Sequence, residues 1–176
     1  MSITEFDLNL LKFITETLRI PSVDGFMKFI TSLGNGGAIW ILLAAVLLCF
    51  KKTRRIGLAV SLSLIFSLIV GNILLKPVIG RVRPFDFDPS IVPLIPPPTD
   101  FSFPSGHTQS SFAAATALFM YNKKAGIPAI ILAVLIAFSR LYLAMHYPTD
   151  VLAGIIIGIT LGFTADKIIK KSFVHI

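Results

Sequence analysis

Five stretches of this chain are long and uncharged enough to cross, or nearly cross, a hydrocarbon layer of about 30 Å, and no other feature limits the possible folds so strongly. They cover residues 29–50, 56–75, 101–122, 151–165, and 125–145, where Arg140 is the single charge. Composition agrees, with 55% hydrophobic and only 14% charged residues. The bilayer is therefore the solvent, and the predicted fold class is all-α, a polytopic membrane helical bundle of about five transmembrane helices. Before the bundle, Ile3, Phe6, Leu10, Phe13, Ile14 and Leu18 recur at helical spacing, with Glu5, Lys12, Glu16 and Arg19 off the stripe and Pro21 closing it. That pattern predicts an amphipathic helix over residues 1–20 lying in the membrane interface. The 176 residues are expected to form a single membrane-embedded domain, with residues 26–169 as the bundle.

Charge placement orients the bundle. Lys51, Lys52, Arg54, Arg55, Lys123, Lys124, Lys167, Lys170 and Lys171 fall on one side of the spans with a single acid, Asp166. Short loops rich in lysine and arginine stay cytoplasmic. The C-terminus is therefore expected in the cytoplasm, with the N-terminal helix and the loop from Lys76 to Ser105 on the extracytoplasmic face. The net charge of +7 is spread along the chain and does not form a nucleic-acid-binding module. The N-terminus lacks a basic segment followed by an early small-residue cleavage site, so no removable signal peptide is read. Cys49, the only cysteine, lies in an apolar run and has no partner for an internal disulfide. Gly154, Gly158 and Gly162 share one face of the last span, which suits close helix packing within the monomer or a dimer seam. Gly34, Gly36 and Gly37 around Asn35 are expected to loosen or break the outer end of the first span.

Three polar segments interrupt the apolar chain: Lys76 with Arg83 and Pro84; Pro104-Ser105-Gly106-His107; and Ser139-Arg140 with His146 and Asp150. Ionisable groups at membrane depth are costly and mark function. Lys76, Arg83 and Arg140 supply three cations, and an arginine fork matches phosphate oxygens. The Ser105-Gly106-His107 step lies where the third span should begin, so free backbone N–H groups and the positive helix end would point at an anion. Pro148 suits the first turn of the last span, leaving His146 just outside it and Asp150 within reach of the imidazole. A carboxylate on one ring nitrogen frees the other for nucleophilic attack, and His107 remains for proton transfer to the leaving oxygen.

In their order and spacing, Lys76-x6-Arg83-Pro84, Pro104-Ser105-Gly106-His107 and Ser139-Arg140-x5-His146-x3-Asp150 resemble the three-part signature of the type 2 phosphatidic acid phosphatases. The pocket of that family is similar to that of vanadium haloperoxidases. The resemblance implies a lipid phosphatase or diphosphatase in which His146 forms a phosphohistidine, Asp150 orients it and His107 is the general acid. It also implies a phosphate pocket of Lys76, Arg83, Ser105, Gly106 and Arg140 that needs no metal or other cofactor. An outward pocket and a short architecture favour undecaprenyl diphosphate, with phosphatidylglycerophosphate or phosphatidate as alternatives. A haloperoxidase would share the pocket but is expected to be large and soluble, and a non-enzymatic transporter has no use for two histidines with an orienting aspartate.

Seven prolines between Pro84 and Pro104 argue against regular helix there and for a stiff cover over the pocket. Asp86, Asp88 and Asp100 in this loop are read as solvated acids rather than metal ligands. Arg81 is expected either to contact a second phosphate or to anchor at the interface, and His175 to be a solvated tail residue. Oligomeric state is not legible.

Overall fold

The computed structural model describes residues 2–172, whose regular elements are all helices, with an irregular segment over residues 88–105. His175 lies outside the described residues. Helix α1 (Ile3–Thr17) starts with a capping box in which Ser2 and Glu5 satisfy each other's backbone N–H groups. Its exposed face carries Ile3, Phe6, Phe13 and Leu18, whereas Asp7, Leu11 and Ile14 are buried. The apolar stripe read from the sequence is thus mostly the outward face, and a carboxylate points inward. Pro21 opens a helix rather than merely ending one: α2 (Pro21–Leu33) begins with it in the first turn, where its missing N–H has no cost.

The glycine cluster breaks the first span. A 3-10 turn over Asn35–Gly37 separates α2 from α3 (Ala38–Cys49), with Gly36 and Gly37 at φ of 58° and 75°, a left-handed backbone that suits glycine. The two helices meet at 46°. Trp40 Nε1 donates to Ser111 Oγ at 2.9 Å and ties α3 to the bundle.

Helix α4 (Arg54–Ser67) widens into a π-helix over Leu68–Leu75 before α5 (Lys76–Ile79) and the short α6 (Pro84–Phe87). At the α-to-π junction the Ser67 carbonyl accepts from Gln109 Nε2 at 3.0 Å. Gly71 makes room for that amide, since a Cβ there would lie 2.5 Å from Gln109 Oε1. Such widened turns recur at functional sites, and this one contains Asn72 and runs directly into Lys76.

The centre of the bundle is α7 (Gly106–Tyr121), flanked by α4, α8 (Lys123–Tyr142) and α9 (Pro148–Ser172). A Cβ on Gly154, Gly158 or Gly162 would approach the Ser105, Gln109 or Ala113 carbonyl to 3.0, 2.5 or 2.6 Å. The stripe on α9 therefore packs on α7 inside the monomer. Three segments, Arg54–Phe87, Lys123–Tyr142 and Pro148–Ser172, are long and apolar enough to cross a membrane, and the bent α2–α3 pair adds a fourth. At sixteen residues α7 is about 24 Å long and is sheathed by its neighbours.

Candidate active site

Elements distant in sequence meet at one end of the bundle. The wall of a cavity of about 940 Å³ includes Lys76, Arg83, Gly106, His107, Arg140 and His146. The cavity continues as an apolar shaft between α3 and α4, past Ile41, Ala44, Leu48, Leu64, Ile65 and Leu68. The polar end suits an anionic head and the shaft suits a hydrocarbon chain.

Five of the residues selected from sequence as catalytic or phosphate-binding line the polar end with Gly106; Ser105 and Asp150 stand behind it. Ser105 precedes α7, is fully buried, and turns its hydroxyl to Thr108 Oγ1 at 2.9 Å. Its backbone N–H donates to the Asp150 carbonyl at 3.2 Å, joining the start of α7 to the start of α9. Gly106 keeps this helix end open towards Asn72, whose Oδ1 lies 3.3 Å from where a Cβ would be.

The three cations differ in their partners. Arg83 donates from Nη1 to the Met145 carbonyl at 2.7 Å and from Nε to the Asp100 carbonyl at 2.8 Å. Its Nη2 pairs with Asp100 Oδ1 at 2.6 Å, while Lys76 Nζ pairs with the other oxygen of the same carboxylate. Asp100 is therefore not simply a solvated loop acid: the proline-rich cover lays it across two cations of the pocket. Burial pushes the Asp100 carboxyl up, but the hydrogen bonds and charges of Lys76 and Arg83 outweigh it and hold it at about 2. Arg140 is buried, donates to Thr31 Oγ1 at 2.7 Å, and leaves its Nε without a hydrogen-bond partner. A buried orphan donor on a guanidinium is a demand for an acceptor.

His146 is almost wholly buried in the turn before α9. This turn carries Ala144 at φ 58°, a left-handed conformation unusual for a residue with a Cβ. Nδ1 of His146 faces Asp150 Oδ2 at 3.6 Å, too far for a direct hydrogen bond. Ser102 stands beside the pair and reaches both, with Oγ 2.5 Å from Asp150 Oδ2 and 3.4 Å from His146 Nδ1. The direct carboxylate–imidazole bond expected from sequence is thus replaced by an arrangement shared with a hydroxyl. Nε2 points the other way, 3.4 Å from Arg83 Nη1. One ring nitrogen faces acceptors and the other faces the cationic pocket.

Across the cavity, His107 Nε2 lies 2.9 Å from Asn35 Oδ1, on the turn that breaks the first span. Ser102 and Asn35 were not selected from sequence. Arg81, by contrast, neither lines the cavity nor stands free at an interface: its guanidinium is 2.6 Å from both Asp7 and Asp150. Asp88 pairs with Lys12 of α1 at 2.7 Å. Among the described residues no three His, Cys, Asp or Glu side chains are grouped to hold a metal ion.

Residues 56–173 match the family model described as PAP2 superfamily. An undecaprenyl-diphosphatase of Sulfolobus acidocaldarius is 37% identical over 93% of this chain and 78% of its own length. The undecaprenyl-diphosphatase BcrC of Bacillus subtilis is 36% identical over 80% of this chain and 72% of its own. Among solved structures, a transmembrane PAP2 type phosphatidylglycerolphosphate phosphatase from Bacillus subtilis superimposes with a TM-score of 0.79 at 28% identity, covering 96% of this chain and 87% of that one.

Proposed function

This chain belongs to the PAP2 superfamily and is a multi-pass membrane phosphatase, and from that premise we propose that it hydrolyses undecaprenyl diphosphate at the extracytoplasmic face through a phosphohistidine on His146. The observation that carries the reading is the cavity itself, whose cationic end with two histidines runs into an apolar shaft. A phosphate at that end would leave its lipid chain in hydrocarbon between α3 and α4. Residues 1–176 act as one catalytic unit in this reading, and their oligomeric state does not enter it.

The chemistry follows from the two faces of His146. With its Nδ1 proton held towards Asp150 and Ser102, the Nε2 lone pair attacks the terminal phosphorus. The bond from phosphorus to the bridging oxygen breaks, and His107 gives that oxygen its proton. Undecaprenyl phosphate then leaves. His107 next takes a proton from water, whose oxygen attacks the phosphohistidine and releases inorganic phosphate. Lys76, Arg83 and Arg140 stabilise charge on the equatorial oxygens in both steps, and the N–H groups at the start of α7 add to them. These cations supply the charge that a metal would otherwise bring, so the reaction is proposed to need none.

Two of the relatives are named as undecaprenyl-diphosphatases, and this supports the choice of lipid. The structural likeness to a phosphatidylglycerolphosphate phosphatase favours that headgroup as the second substrate. Phosphate release by the purified protein, measured in chelator over undecaprenyl diphosphate, phosphatidylglycerophosphate and phosphatidate, decides between them. His146→Ala should form no acid-labile phosphoenzyme, whereas His107→Ala should still form one slowly. A phosphoenzyme on His146→Ala would overturn the assignment of the nucleophile.

A further inference from the structure

The carboxylate that serves His146 is itself held from behind. Asp150 is fully buried, and its Oδ2 accepts from Ser102 and from the Tyr147 N–H at 3.0 Å. Its Oδ1 accepts from Arg81 Nη1 at 2.6 Å. The same nitrogen donates to Thr149 Oγ1 at 2.8 Å, and the guanidinium stacks over the Tyr147 ring at 3.9 Å. Arg81 Nη2 reaches Asp7 Oδ2 at 2.6 Å, and Asp7 Oδ1 accepts the Thr149 N–H at 3.0 Å. Asp7 is wholly buried, although it sits on the N-terminal helix, 143 positions before Asp150 in the chain. Neither Asp7 nor Arg81 lines the cavity.

We propose that Arg81 and Asp7 are positioning residues for the reaction, Arg81 fixing the Asp150 carboxylate against His146 and Asp7 of α1 fixing Arg81. A guanidinium gripped by one carboxylate can still rock. Gripped by two on different nitrogens and stacked on a ring, it has one orientation. Asp7 also balances the charge of Arg81, so that Asp150 keeps its full attraction for the imidazolium formed at His146. The N-terminal helix is thereby a working part of the active site and not only a membrane contact. The proposal rests on the reading of Asp150 as the partner of His146.

The test is a double-mutant cycle on the full chain, purified in detergent, with farnesyl diphosphate as the probe. Arg81→Gln should lower kcat about tenfold or more while leaving KM within about twofold, the pattern of a group that acts on the transition state without binding substrate. Arg81→Lys should recover only part of the loss, and Asp7→Asn should show a smaller loss of the same kind. In an Asp150→Asn background, Arg81→Gln should change kcat by less than about twofold, because the group it positions is gone. Multiplicative losses in the double variant would overturn the proposal, as would a raised KM with kcat kept, which would make Arg81 a phosphate ligand. If Arg81→Gln fails to fold, the same cycle run with Asp7→Asn and Asp150→Asn decides by the same criterion. Wild-type kcat in Asp150→Asn alone would instead sink the active-site reading on which the proposal stands.

Discussion

Ser102 Oγ donates to Asp150 Oδ2 at 2.5 Å and places a hydroxyl beside the facing carboxylate and imidazole of Asp150 and His146. A short bond from a neutral donor to a buried carboxylate localises that carboxylate and also draws charge from it. Ser102→Ala should lower kcat about tenfold, the effect of losing about 1.4 kcal/mol of orientation, and change KM little. Steady-state phosphate release on the purified variant checks this, and unchanged kcat would remove Ser102 from the machinery.

Asp100 lies on Lys76 and Arg83, two of the cations proposed to hold the phosphate, and in that reading it competes with the phosphate for them. Asp100→Asn should tighten inhibition by vanadate, a transition-state mimic, by about tenfold. The pH dependence has a definite sign. A carboxyl held at about 2 when folded and near 4 when free keeps its attachment above about pH 4 and loses it as the pH falls towards 2. Between about pH 5 and pH 9 Asp100 stays ionised, so the ratio of wild-type to Asp100→Asn inhibition constants should be flat. A ratio that changed tenfold across that range would show that another group is responsible.

The spans, the broken first helix and most of the pocket were legible because each rests on local pattern: uncharged length, a glycine cluster, and short fixed spacings that set residues on one end of a helix. Asp100, Ser102, Asn35 and Asp7 were not, because their roles come from partners far along the chain. Asp100 looks like any acid in a proline-rich loop until the loop folds over Lys76, 24 positions earlier. Asp7 breaks no helical period, and only the packed α1 shows that it faces inward. Arg81 stands beside a phosphate-binding signature in sequence yet turns to carboxylates, a choice set by the buried Asp7 that it neutralises.

Packing of α9 on α7 holds the two halves of the pocket together. A methyl at Gly158 would lie 2.5 Å from the Gln109 carbonyl and 2.8 Å from Phe112 Cβ. Gly158→Ala should cost about 1–3 kcal/mol through overpacking. A lowered thermal midpoint should be accompanied by lower kcat, because the start of α7 is bonded to the Asp150 carbonyl. Wild-type stability and kcat would show that the helices can separate freely.

The proposed orientation is tested by labelling. Cys49 is exposed and must first be replaced by serine. In sealed right-side-out vesicles an impermeant thiol reagent should then label a cysteine substituted for Ser90 but not one substituted for Thr53. The reverse pattern would invert the topology and move the preferred substrate towards phosphatidylglycerophosphate.

The short central helix bears on how the protein is made. Helix α7 has only sixteen residues and buries Thr108, Gln109, Ser111 and Thr116 along it, so its face is polar as well as brief. Offered alone to an insertion machine, such a segment partitions poorly into lipid. Two of these side chains have partners on earlier helices: Ser111 accepts from Trp40 of α3, and Gln109 donates to the Ser67 carbonyl of α4, both already synthesised when α7 emerges. The helices made first therefore already offer partners for two polar side chains of α7 when it meets the membrane, and α8 and α9 complete its sheath afterwards.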